Sequence, residues 1–168
     1  MNPLREKFIT EARGFLGCAW RHQGRTKQGI DCVGLIVVPL LALGLFKPED
    51  DVVNYTREPE GRRLTEILHQ YARRLSGLDK AQPGDLIAMR FTSEPQHLAI
   101  ITRINQHGPH ILHAAGQGRA VVEHHLDKAW LGSHRAKIHA AYAIKAFDDQ
   151  NQENQLEDSA PGGCGCGS

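Results

Sequence analysis

The chain opens on an amphipathic pattern. Leu4, Phe8, Ala12, Phe15 and Leu16 recur at helical spacing and predict a helix over residues 4–16, with Gly17 to end it. A polar loop follows from Arg21 to Gly29, after which the run from Cys32 to Leu45 is almost wholly apolar. That run predicts a buried helix, with Asp31 as its N-cap and Pro39 as an internal kink. Residues 47–60 are rich in Pro and Asp and read as loop. Gly61 to Leu75 predicts a third, more polar helix. Leu64, Ile67, Leu68, Tyr71 and Leu75 share one side of it, and Arg62, Arg63, Arg73 and Arg74 form the wet side.

From Gln82 the period changes. Pro83-Gly84 marks a turn, and Asp85–Phe91, His97–Ile104, His110–Ala114 and Ala120–His124 are short runs rich in Ile, Leu and Val between Gly- or Pro-bearing turns. Ala140–Phe147 adds one more strand. Helices first and an antiparallel meander afterwards predict an α+β fold. Beyond Asp148 the composition is mostly Asp, Gln, Asn, Glu, Ser and Gly, too little apolar area to offset the entropy of ordering. The expected organisation is one domain over residues 1–147 and a disordered polar tail over 148–168.

Composition narrows the classes. A chain of 168 residues with 40% hydrophobic side chains can build one sizeable core. Twenty basic against 19 acidic side chains give a net charge of +1, so no long-range field draws in nucleic acid or anionic lipid. The apolar run Val33–Phe46 is interrupted by Gly34, Pro39 and Gly44 and falls short of the roughly 20 residues a bilayer requires, so no membrane insertion is expected. The start, Met-Asn-Pro-Leu-Arg-Glu-Lys, is charged and not followed by an apolar segment. It reads as lacking a signal peptide, with synthesis in a cytoplasm. Cys18 and Cys32 fall in the folded part and Cys164 and Cys166 in the tail, which suits a reducing compartment with one functional thiol.

That thiol is Cys32. Asp31-Cys32-Val33-Gly34 places it in the first turn of the apolar helix, where unpaired N–H groups and the helix dipole favour thiolate, and Gly34 lets another element pack close. A thiol nucleophile needs a base, and the base an orienting partner. His97 begins one strand-like run and His113 ends another. If those runs form a hairpin through Asn105 to Pro109, both imidazoles fall at the same end. Cys32 as nucleophile, His97 as general base and His113 as orienter then make a catalytic arrangement.

These residues resemble the NlpC-type cell-wall cysteine peptidases, in particular the phage-tail and gene-transfer-agent branch. The resemblance rests on Leu16-Gly17-Cys18-Ala19-Trp20-Arg21-His22-Gln23-Gly24, Gly29-Ile30-Asp31-Cys32-Val33-Gly34-Leu35, Gln82-Pro83-Gly84-Asp85-Leu86, His97-Leu98-Ala99-Ile100 and Ile111-Leu112-His113-Ala114. It implies a papain-like fold, with the nucleophile at a helix N-terminus packed on an antiparallel sheet. It also implies hydrolysis of the D-glutamyl–diamino acid bond of peptidoglycan stem peptides through a thioester, without a cofactor. Trp20, His22 and Asp31 are the substrate-binding candidates. Ala19-Trp20 stands where the family usually carries Pro-Tyr; an indole N–H donates but cannot accept a hydrogen bond. Other phage-tail proteins are the implied partners, and a virion or tail tip the implied workplace. Two alternatives stay open: a structural tail component whose hydrolase fold has lost activity, and a thiol amidase or acyltransferase acting on another acyl group.

Ten histidines raise the question of a metal, but no His-Glu-x-x-His or Cys-x-x-Cys spacing occurs. His124 and His125 are consecutive and would point to opposite faces of a strand. No metal site is expected. Arg21, Arg25 and Lys27 read as a solvated loop, with long-range attraction for stem-peptide carboxylates as the competing view.

Overall fold

The computed structural model describes residues 2–56, 61–116 and 119–148. The polar tail from residue 149, with Cys164 and Cys166, lies outside them, as does its expected disorder. Helix α1 (Pro3–Arg13) starts where the Asn2 side chain accepts the Leu4 N–H at 2.8 Å, with Pro3 in the first turn. Strands β1 (Arg25–Thr26) and β2 (Gly29–Ile30) form a small hairpin that leads into helix α2 (Gly34–Ala42).

Helix α2 is shorter at both ends than its apolar pattern. Asp31 does not occupy the N-cap; that position is Val33, and Cys32 lies in the turn before the helix. The Asp31 carboxylate still caps, since its Oδ1 accepts the Gly34 N–H at 2.9 Å from one turn further back. The helix continues through Pro39 to Ala42, and Gly44 just beyond its C-cap turns the chain with a φ of +67° that only glycine adopts without strain.

Helix α3 (Gly61–Tyr71) gives way to strand β3 (Ala72–Arg74) rather than running on to Leu75. Tertiary pairing wins here, because β3 hydrogen-bonds along strand β8 (Lys137–Ile144) and buries Ala72. Arg73 and Arg74 therefore charge an exposed edge strand, where they discourage pairing with other chains, instead of wetting a helix.

Strands β4 (Leu86–Arg90), β5 (Pro95–Asn105), β6 (Gly108–Ala114) and β7 (Val121–His125) form the meander, and helix α4 (Lys128–Ser133) precedes β8. The resulting six-stranded sheet is antiparallel throughout, in the order β3-β8-β4-β5-β6-β7. Both of its faces are covered. Leu86, Ala88, Leu98, Ile100 and Leu112 pack with Phe8 and Ala12 of α1, Leu35 and Leu40 of α2 and Leu64 and Leu68 of α3. Their neighbours Ile87, Met89, Ala99, Ile101 and Ile111 pack with Leu126, Trp130 and Leu131 on the opposite side. Burial on two faces is why these strands read as apolar runs rather than as alternation. The α+β reading holds.

Candidate active site

The turn that carries Cys32 is held from below by a buried carboxylate. Asp31 is 3% exposed, and both of its oxygens accept hydrogen bonds from the chain itself. Oδ2 takes the Tyr55 hydroxyl at 2.6 Å and the Gln23 N–H at 2.7 Å; Oδ1 takes the Gly34 N–H and the Arg25 guanidinium at 3.3 Å. Arg25 also clamps Asp51 and donates to the Val52 carbonyl at 2.7 Å, while the Gln23 side chain donates to the Tyr55 carbonyl at 2.8 Å. Loop 51–55 is thus zipped onto loop 22–25. Arg25 is neither solvated nor free to attract a distant carboxylate, which corrects both readings of it. Lys27 packs over the Phe15 ring and donates to the Gly14 carbonyl.

Gly34 is required where the loops meet. A Cβ there would collide with the carbonyl oxygen of Gly24 and press on Arg25 and Ile30.

Above this base opens a cleft of about 360 Å³ with a mostly apolar lining. Cys32, His97, Trp20, His22 and Asp31 all line it, together with Tyr55 and with Arg63, Leu64 and Ile67 of α3. Arg63, exposed as expected of a wet helix face, also borders this cleft. The Trp20 and His22 rings stack with centroids 6.4 Å apart, and the Tyr55 ring meets His22 edge-on at 5.3 Å.

The half-buried Cys32 thiol faces the backbone N–H groups of Leu98, Cys32 and Val33. Leu98 is the residue after His97, so the start of β5 brings imidazole and thiol to the same end of the cleft. His113 arrives from the neighbouring strand β6: its Nδ1 lies 2.8 Å from His97 Nε2, and both rings are buried. The hairpin places the two histidines at one end, as their spacing predicted. His113 does not line the Cys32 cleft; it stands behind His97, in a second cavity shared with Trp130 and His134.

The electrostatics depart from the expected thiolate. Burial, then the adjacent Asp31 charge, pushes the Cys32 thiol up to about 12, and the three N–H groups that oppose this are outweighed. The thiol sits before the helix rather than in its first turn, and it neighbours a carboxylate. Burial also pushes His97 down to about 4, and burial with the neighbouring imidazoles pushes His113 down to about 2. At neutral pH the resting pair is a thiol and a neutral imidazole, not an ion pair. His97 Nε2 is taken by His113, which leaves Nδ1 as the basic nitrogen available to the thiol.

Tyr55, Arg63, His124 and Trp130 border the site and were not foreseen. Tyr55 and Arg63 join it only through long-range packing. His124 was within reach of strand alternation, since β6 paired with β7 puts His113 and His124 on one face. Among the described residues, no group of three or more His, Cys, Asp or Glu is arranged to hold a metal ion, and no helix is long and apolar enough to cross a membrane.

A family model described as the NlpC/P60 family matches residues 17–139. The fold is similar to that of a protein described as similar to a lipoprotein of the NLP/P60 family, from Staphylococcus aureus subsp. aureus Mu50 (19% identity over 86% of this chain and 42% of that one, TM-score 0.57). It is similar also to NlpC2 from Trichomonas vaginalis (15% identity, 83% and 48%, TM-score 0.58). A third similar structure is the NlpC/p60 domain of the peptidoglycan hydrolase SagA (18% identity, 83% and 98%, TM-score 0.58). At such identities the likeness establishes the shared fold. The chain spans less than half the length of the first two proteins. No curated protein matches it in sequence.

Proposed function

The chain belongs to the NlpC/P60 family, and we propose that it is a cysteine endopeptidase that hydrolyses peptidoglycan stem peptides. The observation that carries this reading is the cleft that Cys32 and His97 line together, with Cys32 against the start of β5 and His97 anchored through Nε2 by His113 at 2.8 Å. The likeness to the domain of a peptidoglycan hydrolase supports the substrate class.

His97 Nδ1 takes the thiol proton as the sulfur attacks the scissile carbonyl carbon. The backbone N–H of Cys32 steadies the oxyanion, and the tetrahedral intermediate collapses to a thioester as the imidazolium protonates the leaving amine. Water, deprotonated by His97, then releases the acid and restores the thiol. The low basicity set by burial keeps His97 unprotonated and ready to accept. Trp20 and His22 line the cleft, Asp31 supports it from below with both oxygens committed to internal donors, and the Arg63 charge suits a substrate rich in carboxylates. The bond cut is the one after D-glutamate, and the setting is a phage tail; both rest on the sequence resemblance.

Purified protein incubated with muropeptides is expected to release fragments ending in D-glutamate, read by mass spectrometry, and Cys32→Ala is expected to release none. Full activity in Cys32→Ala rules the mechanism out. A second reading, a hydrolase fold retained as a structural component, draws on the thiol pushed up to about 12. Muropeptides left intact by the unmodified protein would select it.

A further inference from the structure

The imidazole chain does not stop at His113. His113 Nε2 lies 2.9 Å from Nε2 of His124, and Nδ1 of His124 lies 2.8 Å from the backbone carbonyl oxygen of His125. A carbonyl can only accept, so His124 must carry its proton on Nδ1. A neutral imidazole holds one N–H, and the other nitrogen of His124 is therefore an acceptor. His113 must then donate from Nε2 and accept at Nδ1, which obliges His97 to donate from Nε2. One main-chain carbonyl thus decides, through three rings, that the His97 nitrogen left for Cys32 bears a lone pair. The rule that a histidine's tautomer follows the partner of its other nitrogen operates here in series.

The aromatic setting keeps the chain in register. The Trp130 ring packs on His124 at 4.8 Å and edge-on to His113 at 5.4 Å, and it stacks on His134 at 4.6 Å. His134 is held by its own partners: Nδ1 donates to the Trp130 carbonyl at 3.0 Å, and Nε2 faces Arg119 at 3.4 Å. Asp127 and His110 lie against His125, and Glu123 is engaged by Arg13 and Thr102, so none of these competes for His124. Burial keeps His97 and His113 from taking a second proton at neutral pH.

We propose that His124 is a positioning residue which, seated on Trp130, sets the tautomers of His113 and His97 so that the unprotonated nitrogen of His97 faces Cys32. This rests on the reading of Cys32 and His97 as nucleophile and base.

Two measurements test it on the full chain at a pH of about 8, above the ordinary imidazole range. Long-range proton–nitrogen spectra of labelled protein distinguish N–H from bare ring nitrogens, and are expected to show Nε2–H on His97 and His113 and Nδ1–H on His124. Steady-state cleavage of muropeptides is expected to lose about tenfold to a hundredfold in kcat with KM unchanged in His124→Leu. His124→Gln, whose amide oxygen can accept from His113, is expected to restore most of it. A bare Nε2 on His97 or His113 in the unmodified protein overturns the proposal. So does a folded His124→Leu with kcat intact, or a Gln variant as impaired as the Leu one. If the unmodified protein leaves muropeptides intact, the peptidase reading fails, and the spectra alone still decide the tautomer chain.

Discussion

Asp31 and Cys32 are adjacent, and the buried carboxylate of the first opposes ionisation of the second while holding its turn in place. Four donors converge on Asp31, from Gln23, Arg25, Gly34 and Tyr55, so its charge is compensated structurally yet still felt by the thiol one residue on.

Replacing this charge separates the two roles. Asp31→Asn removes the charge that, after burial, pushes the Cys32 thiol up, and is expected to lower the midpoint of its alkylation by iodoacetamide relative to the unmodified protein. The same change puts an amide N–H against the donors of Gln23 or Gly34 and costs about 1–3 kcal/mol of stability. Alkylation rates against pH and urea unfolding read the two effects; an unmoved or raised midpoint contradicts the first.

The base sets the acid limb of the rate profile. With His97 pushed down to about 4, the imidazole stays unprotonated well below the ordinary histidine range. The rate constant kcat/KM on muropeptides is expected to hold as pH falls from neutral to about 5, then drop through about pH 4. A fall centred near the ordinary value of about 6.5 would mean that the ring is solvated.

The same two rings make stability depend on pH. Their folded pKa values, about 4 for His97 and about 2 for His113, lie below the unfolded value, so the unfolded chain binds protons first. Their contribution is complete above a pH of about 6.5 and is lost as the pH falls through about 4 for His97 and lower for His113. Calorimetry should show Tm declining over that window, with a shallower decline in His113→Asn.

A buried ion pair anchors α1 to the turn before β4. Arg5 and Asp85, 3% and 1% exposed at their side chains, meet at 2.5 Å, and Arg5 also donates to the Pro83 carbonyl at 3.2 Å. Asp85→Ala strands the guanidinium and is expected to cost about 3–5 kcal/mol in urea unfolding. The double change Arg5→Met with Asp85→Leu removes both charges and should recover much of that.

Gly34→Ala tests the packing of the nucleophile's turn. Its Cβ would collide with the Gly24 carbonyl oxygen, so the loop or the helix must shift. Overpacking of this kind costs about 1–3 kcal/mol, and muropeptide cleavage should fall with it because Cys32 lies in the displaced turn. Unchanged Tm and rate would show that the contact is soft.

Local pattern determined most of the elements and the main site pair. Periodicity marked α1, α2 and the meander, and the spacing of His97 and His113 across one hairpin placed their rings together. Those relations depend on near neighbours in sequence, where backbone geometry fixes which residues share a face. Only tertiary structure decided the rest. Pairing with β8 turned Ala72–Arg74 from helix into strand, and packing put Tyr55 on Asp31 and Arg63 beside the cleft. The protonation of Cys32 and His97 was likewise beyond the sequence, because desolvation is set by everything that surrounds a group, and most of those surroundings come from distant parts of the chain.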